Sequence, residues 1–456
     1  MNIEQTQRSA RVAVVGAGVG GAMAAYRLKA AGCMPVVFEA GEEAGGRTRT
    51  LRQGGFIFDT GAVGLLGSYT KTRDVAREIG MADQFLTLRP MGAIPRDGVL
   101  RYLDMKHPIR SFLFSDLFSL RAKLRLARVV RDVARLGQHL NYEQVDALVP
   151  YDVETVEQYS RRALNDELYD YLADTLTRGA WLAPGEQASV IQFFWTAKNF
   201  TPHMYSLKGG MNSLSLRLLD GIEVKFNSPV LSVDERPGGV ELTYQTADGE
   251  RSERFESCVI AVPPKQALPI FPQMISDQRE YFKATQYSRS VNVHFGLSRR
   301  PTIPALYIMV PKRECTDVTT IFLDHLKSPD RAPPGKGMVS VFLRAEWCDQ
   351  RYDTPDKNVI DEVLGKLKPY LGDLGSSAEE IVVQRWANCA LLVKPGIFAA
   401  MSRHYRSINP TARVQLAGDY APFSSVNTAV VSGENAAKLL IARMRTEGNI
   451  QPALAA

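Results

Sequence analysis

The apolar residues of this chain begin with a short block, Arg11-Val-Ala-Val-Val15, whose small and β-branched residues predict a strand buried on both faces. The glycine run Gly16-Ala-Gly-Val-Gly-Gly21 follows at once, then residues 22–31 read as a helix stopped by Gly32. A second apolar strand, Pro35-Val-Val-Phe-Glu39, ends in an acid. At the far end, residues 414–420 predict a strand running into Gly418-Asp419, and residues 426–440 a helix. Ala429, Ser432, Gly433 and Ala436 recur at helical spacing there, a face able to lie against another backbone or a planar ring. Between these ends, residues 54–64 predict a strand followed by a small-residue turn. Residues 208–214 start a helix leading to a strand at 223–226, and residues 256–264 carry another strand. Residues 110–204 read as mainly helical and 286–350 as strands, Ser290–Leu297 among them. The proline-bearing segments 301–311 and 328–337 read as turns.

The opening order of strand, glycine turn, helix, strand and acid is that of a dinucleotide-binding unit. Gly16 permits the tight turn, Gly18 lets a pyrophosphate approach the backbone, and Gly21 lets the helix pack on the strand. Unpaired amides at the helix start and the positive end of its dipole hold phosphate charge. Glu39, at the tip of the second strand, is placed to accept ribose hydroxyls. This unit alone does not separate FAD from NAD.

The continuation, Ala40-Gly-Glu-Glu-Ala-Gly-Gly-Arg-Thr48, resembles the flavin amine oxidase superfamily, which includes protoporphyrinogen oxidases and phytoene-desaturase-like enzymes. The distant Gly418-Asp419 and the closing helix match the same group, and the likeness runs from about residue 11 to residue 440. The resemblance implies an α/β fold. A discontinuous, Rossmann-like FAD domain of the glutathione-reductase type would span residues 8–85, 205–265 and 385–445. A second α+β substrate domain would span 86–204 and 266–384. It implies noncovalent FAD held by Gly16, Gly18, Gly20, Gly21, Glu39 and Ala40, with Gly46 and Arg47 at the pyrophosphate or flavin. By the same likeness Gly61, Ala62, Val63 and Gly64 underlie the isoalloxazine, and the Val230 backbone meets the adenine. Gly418 and Asp419 meet the pyrophosphate and ribityl chain. Val426, Asn427, Thr428 and Ala429 open the helix that points at the pyrimidine edge. Trp386 flanks the flavin or fills core.

Alignment against monoamine-oxidase-like members of that group changes the expected chemistry. Their two aromatic-cage tyrosines fall on Ser425 and near Phe398, their flavin-anchoring cysteine on Ile397, and their flavin-side lysine on Asn292. Without an aromatic cage the site loses its grip on an amine nitrogen. The Pro395-Gly396 turn and the Ser- and Gly-bearing closing helix look more like the desaturase and porphyrinogen-oxidase branches. The expected reaction is hydride removal from a C–C or C–N bond of a fairly apolar small molecule, with O2 or another electron acceptor. The alternatives are an amine oxidase proper, giving imine and hydrogen peroxide, and a non-redox flavoprotein isomerase or cyclase. Tyr205 and Lys208 precede a glycine turn, where they face the pocket or pack. No catalytic acid or base stands out, and the six histidines show no metal spacing.

Composition narrows the picture less. The 456 residues allow two packed domains, and 45% hydrophobic with 23% charged residues is ordinary globular usage. Five scattered cysteines suggest a reducing compartment, and the polar first ten residues lack a secretory core, so a cytoplasmic protein is expected. No zinc module or basic patch with interleaved aromatics points to nucleic acid. One segment invites a further partner: Leu120, Leu124, Val130 and Val133 share a predicted helix with Arg121, Lys123, Arg125, Arg128, Arg131 and Arg135. Such a helix could contact a membrane surface. The plainer expectation is a substrate-domain helix with its charges in water.

Overall fold

Arg11–Val15, buried from Val12 onward, lies in the middle of a five-stranded parallel sheet. The strand order is Glu223–Lys225, Met34–Phe38, Arg11–Val15, Ser257–Ile260, Val414–Leu416. The outer strands come from the middle and the end of the chain, so distant segments complete one sheet around the opening unit. The computed structural model describes residues 10–88, 91–141, 145–199, 203–421 and 423–450.

The first helix, Val19–Ala30, begins three residues before the expected start and takes Gly20 and Gly21 into its first turn. Glycine is a poor helix former, but here close packing requires it. A Cβ on Gly21 would stand 1.9 Å from the Gly16 carbonyl oxygen, and one on Gly20 would stand 3.4 Å from the Ala429 oxygen. The closing helix, Val426–Thr446, is longer than expected and lies backbone to backbone against the first. A Cβ on Gly433 would come within 2.1 Å of the Gly20 oxygen.

A seven-stranded sheet forms the second layer, in the order Ala378–Trp386, Ser290–Leu297, Gly337–Leu343, Val318–Phe322, Tyr307–Met309, Met91–Arg96, Val99–Asp104. Tyr307–Met309 falls inside the segment expected as a turn, a correction. Its three residues sit between Pro304 and Pro311 and pair with Gly92 and Ala93 on one side and with residues 320–322 on the other. Every residue of Ser290–Leu297 is buried, because the strand is covered on both faces. Val291, Val293 and Phe295 pack with Val359, Val363 and Leu367 of the helix Asp356–Leu371. Asn292 and His294 look the other way: the Asn292 amide reaches Thr60, and the His294 ring lies 6.1 Å from that of Phe58. Phe58 belongs to Phe56–Asp59, the strand that runs into residues 61–64. The segment 328–337 braces that strand, since Arg331 pairs with Asp59 at 2.6 Å with both side chains fully buried. Helices Leu120–Leu136, Val156–Ala163, Asp174–Trp181 and Val190–Asn199 supply the helical middle of the chain.

Candidate functional site

The carboxyl ends of the central parallel strands open onto one groove, the place where such sheets bind nucleotides. Gly16 turns there with φ +100°, a conformation only glycine adopts readily. Gly18 caps the first helix without a side-chain acceptor, and no acid occupies the first turn. The leading amides are thus left for an anionic ligand. Glu39 follows the second strand directly, and its carboxylate accepts the Ala17 amide at 2.7 Å and the Gly41 amide at 2.9 Å. The backbone around it is held on both sides: Glu39 N–H donates to the Lys225 carbonyl, and its own carbonyl accepts from Ser228. The Asn227 amide donates to the Gly41 carbonyl at 2.9 Å, which ties the exposed Ala40 loop to the segment leading into Val230.

The two sequence signatures meet at Arg47 and Asp419. Their side chains form a two-pronged ion pair at 2.7 and 2.5 Å, although 372 residues separate them. Tyr287 donates its hydroxyl to the same carboxylate at 3.0 Å, and Ser424 donates at 2.5 Å. Arg47 also donates to the Cys389 carbonyl at 3.1 Å and lies over the Tyr287 ring at 5.1 Å. Burial pushes the Asp419 carboxyl up, but the Arg47 charge and the hydrogen bonds from Arg47, Ser424 and Tyr287 outweigh it and hold the group below its ordinary value. Burial also raises the Tyr287 hydroxyl, with the Asp419 charge adding to it, and lifts the Cys389 thiol to about 11.

The turn at residues 61–64 is fixed through two carbonyls, those of Thr60 and Arg47. Trp386 Nε1 donates to the Thr60 oxygen at 2.8 Å and Asn292 Nδ2 donates to it at 3.2 Å. Gly61 sits so near Arg47 that a Cβ would lie 2.1 Å from the Arg47 oxygen, and the Ala62 amide donates to that oxygen at 2.9 Å. Arg47 therefore positions the turn with its backbone and Asp419 with its side chain.

At the closing helix, Ser425 caps the Thr428 amide at 3.1 Å and Thr428 donates its hydroxyl to the Phe423 carbonyl. The Gly418 amide donates to Ser432 Oγ at 3.1 Å. Asn427 is buried, and its oxygen accepts the Thr72 amide at 3.0 Å and the Thr72 hydroxyl at 3.1 Å, which ties the helix start to the helix Thr70–Glu78.

Gly18, Gly46, Arg47, residues 61–64, Trp386, Gly418, Ser425 and Ala429 keep access to solvent, while Ala17, Thr60, Leu65, Ala417 and Val430 beside them are buried. These accessible residues border one groove where the two helix starts lie side by side: a Cβ on Gly20 of the first would stand 3.4 Å from the Ala429 oxygen of the second. The donor set suits an extended dinucleotide carrying two phosphates. Gly16, Gly20 and Gly21 lie beneath this groove as packing positions.

The substrate-facing candidates separate. Asn292 is fully buried, with its oxygen accepting from Ser290 and its amide on Thr60. Phe398 is fully buried, its amide bonded to Asp152 and its ring 6.3 Å from that of Phe423. Ser425 is half-buried as a helix cap. Tyr205 is half-buried on the strand Met204–Leu207, paired with Leu65 just beyond the turn, with the Arg73 guanidinium 5.5 Å over its ring. The sequence reading missed Tyr287, Ser424, Thr60 and Thr72. None carries a motif, and only their partners mark them.

Fold and site together define an FAD-dependent oxidoreductase. The chain belongs to the flavin containing amine oxidoreductase family, whose model matches residues 19–441. It is 28% identical to protoporphyrinogen oxidase 2, chloroplastic/mitochondrial, of Arabidopsis thaliana, over 96% of this chain and 95% of that one. It is 26% identical to an L-amino-acid oxidase of Vipera ammodytes ammodytes, over 65% and 64%. Among solved structures, putrescine oxidase bound to putrescine superposes with TM-score 0.78 at 19% identity, covering 95% of this chain and 99% of the other. Cyclohexylamine oxidase of Brevibacterium oxydans superposes with TM-score 0.77 at 16% identity, over 96% and 100%.

Proposed function

We propose that the chain holds FAD noncovalently along this groove and oxidises a C–C or C–N bond of a fairly apolar small molecule, with O2 as electron acceptor. In this reading the first-helix amides hold the diphosphate, Glu39 accepts the ribose hydroxyls and the Val230 backbone meets the adenine. Residues 61–64 and the start of the closing helix frame the ring. Bound FAD would supply the two-electron acceptor that no side chain provides. The positive end of the closing helix, with no acid in its first turn, favours negative charge beside it. Arg47 and Asp419 orient the middle of the cofactor, and the Thr60 carbonyl, held from two sides, sets the floor of the site. The FAD domain then comprises 8–85, 205–265 and 385–445, with substrate bound between it and the remainder.

The observation that carries the cofactor reading is the Arg47–Asp419 pair beside the glycine cradle. For the substrate, two features support an apolar molecule over an amine. The positions of the amine-oxidase cage hold a helix-capping Ser425 and a fully buried Phe398, which leaves no facing aromatic pair. A relative matched over 95% of its own length is a protoporphyrinogen oxidase.

Anaerobic mixing of the yellow holoprotein with protoporphyrinogen, putrescine, cyclohexylamine and an L-amino acid tests the proposal. Bleaching by protoporphyrinogen, restored by air, is expected. Bleaching by an amine alone would make the protein an amine oxidase, and product formation without bleaching would make it a non-redox flavoprotein. Flavin that stays with the acid-precipitated chain would refute the noncovalent link.

A further inference from the structure

The helix Pro108–Phe114 and the helix Leu120–Leu136 that follows it turn large apolar side chains into solvent. Phe114 is 83% exposed, Leu120 75%, Leu124 71% and Ile109 68%. These are four of the five large hydrophobic residues more than two-thirds exposed among the described residues, and they fall within sixteen consecutive positions. Scattered apolar residues on a surface need no explanation, whereas a cluster of this kind marks a contact. The longer helix carries apolar residues on its solvent side in addition to those on its buried side, where Leu126 and Val133 also pack against the core. Its buried side is Ala122, Val129 and Leu136, while Leu120, Leu124 and Val130 face out with Arg121, Arg128, Arg131 and Arg135.

Charge concentrates in the same segment. Residues 106–136 hold eight lysines and arginines against two aspartates, a surplus equal to the formal charge of +6 on the entire chain. Both aspartates are engaged, Asp116 with Arg101 at 2.9 Å and Asp132 with Arg131 at 3.0 Å. Among the described residues no ion pair engages Lys106, Arg110, Arg121, Lys123 or Arg135. Exposed cations interleaved with Phe and Leu on helices in this arrangement complement a surface that is anionic at its face and apolar just beneath.

We propose that this two-helix face seats the protein on an anionic membrane surface. Phe114, Leu120 and Leu124 enter the boundary between headgroups and acyl chains, and the arginines meet acidic headgroups. The contact is peripheral, since no helix among the described residues is long and apolar enough to cross a membrane. It stands apart from the oxidation chemistry.

Flotation of the full-length, FAD-loaded protein tests it, using vesicles of phosphatidylcholine with phosphatidylserine and vesicles of phosphatidylcholine alone. Flotation with the acidic vesicles is expected at low salt, falling at least tenfold near 1 M salt, where the screening length drops to about 3 Å. Arg110→Gln with Arg121→Gln should weaken binding about fivefold per cation removed. Phe114→Ser, Leu120→Ser and Leu124→Ser together should weaken it on the order of a hundredfold. All five positions are exposed, so thermal midpoint and FAD content should stay at wild-type values and confirm folding. Absence of flotation with acidic vesicles would overturn the proposal. So would binding that the apolar triple variant leaves unchanged, which is simple polyanion attraction. Self-association in vesicle-free gel filtration that the triple variant abolishes would assign the face to a second copy and equally overturn it.

Discussion

Gly433→Ala sets local propensity against packing. In a helix interior alanine is favoured over glycine by about 1 kcal/mol, so from the sequence of Val426–Thr446 alone the change should stabilise. In the folded protein the added methyl would lie 2.1 Å from the Gly20 oxygen, 2.9 Å from its carbonyl carbon and 3.2 Å from its Cα. All three are backbone atoms of the first helix and have no rotamer through which to yield. Comfortable contact needs roughly 3.5 Å, so the helices must part by more than about 1 Å. Other bonds resist that movement: Glu434 pairs with Arg27 at 2.9 Å, Ser432 holds the Gly418 amide, and Asn427 holds Thr72. Overpacking of this kind costs about 3 kcal/mol, which leaves a net loss of about 2 kcal/mol after the propensity gain. Because Gly20 opens the helix proposed to hold the diphosphate and Gly418 leads to Asp419, cofactor retention should fall with stability. The assay is the thermal midpoint with and without added FAD, together with flavin fluorescence released on dilution. Gly365→Ala is the control, since the same chemical change there meets nothing within 4 Å and should stabilise by about 0.5–1 kcal/mol. A Gly433→Ala protein as stable as wild type, with full flavin content, would refute the packing argument.

Three further outcomes follow from the site. Asp419→Asn removes the charge opposite Arg47 while keeping the shape. With side chains 27% and 11% exposed, the loss should be about 2 kcal/mol, below the range for fully buried pairs, and FAD titration should show weaker binding. Burial pushes His294 and His404 down to about 4 from 6.5. Folded-state pKa values below the unfolded ones mean that their contribution is complete above pH 6.5 and lost as pH falls toward 4, by about 3 kcal/mol each at most. Thermal midpoints measured across that window should decline, and less steeply in His404→Leu. Ser425→Ala removes the acceptor for the Thr428 amide and should cost about 1 kcal/mol. Ser425→Asp should keep the cap but weaken FAD binding, because it puts a negative charge at the helix start where flavin charge is expected.

The sequence by itself determined the cofactor class and the sheet that holds it. A dinucleotide-binding unit depends on backbone shape over a few consecutive residues, so Gly16, Gly18, Gly21, Glu39 and Gly46-Arg47 are all legible in order. The small-residue stripe containing Gly433 was readable as a close-contact face for the same reason, although only the fold shows that it meets Gly20. Tertiary structure decided whatever depends on partners remote in sequence. Tyr287 and Ser424 join Asp419, and Asn292 turns from the groove to the Thr60 carbonyl, because sheet order and register bring those positions together. The helix start at Val19 was misplaced because packing against Gly16 outweighs the low helix propensity of glycine. Three residues between prolines form a strand only because neighbouring strands offer partners on both sides. Whether Leu120 and Leu124 face core or solvent was likewise beyond periodicity, which reports that a helix has two faces but not which of them the rest of the chain covers.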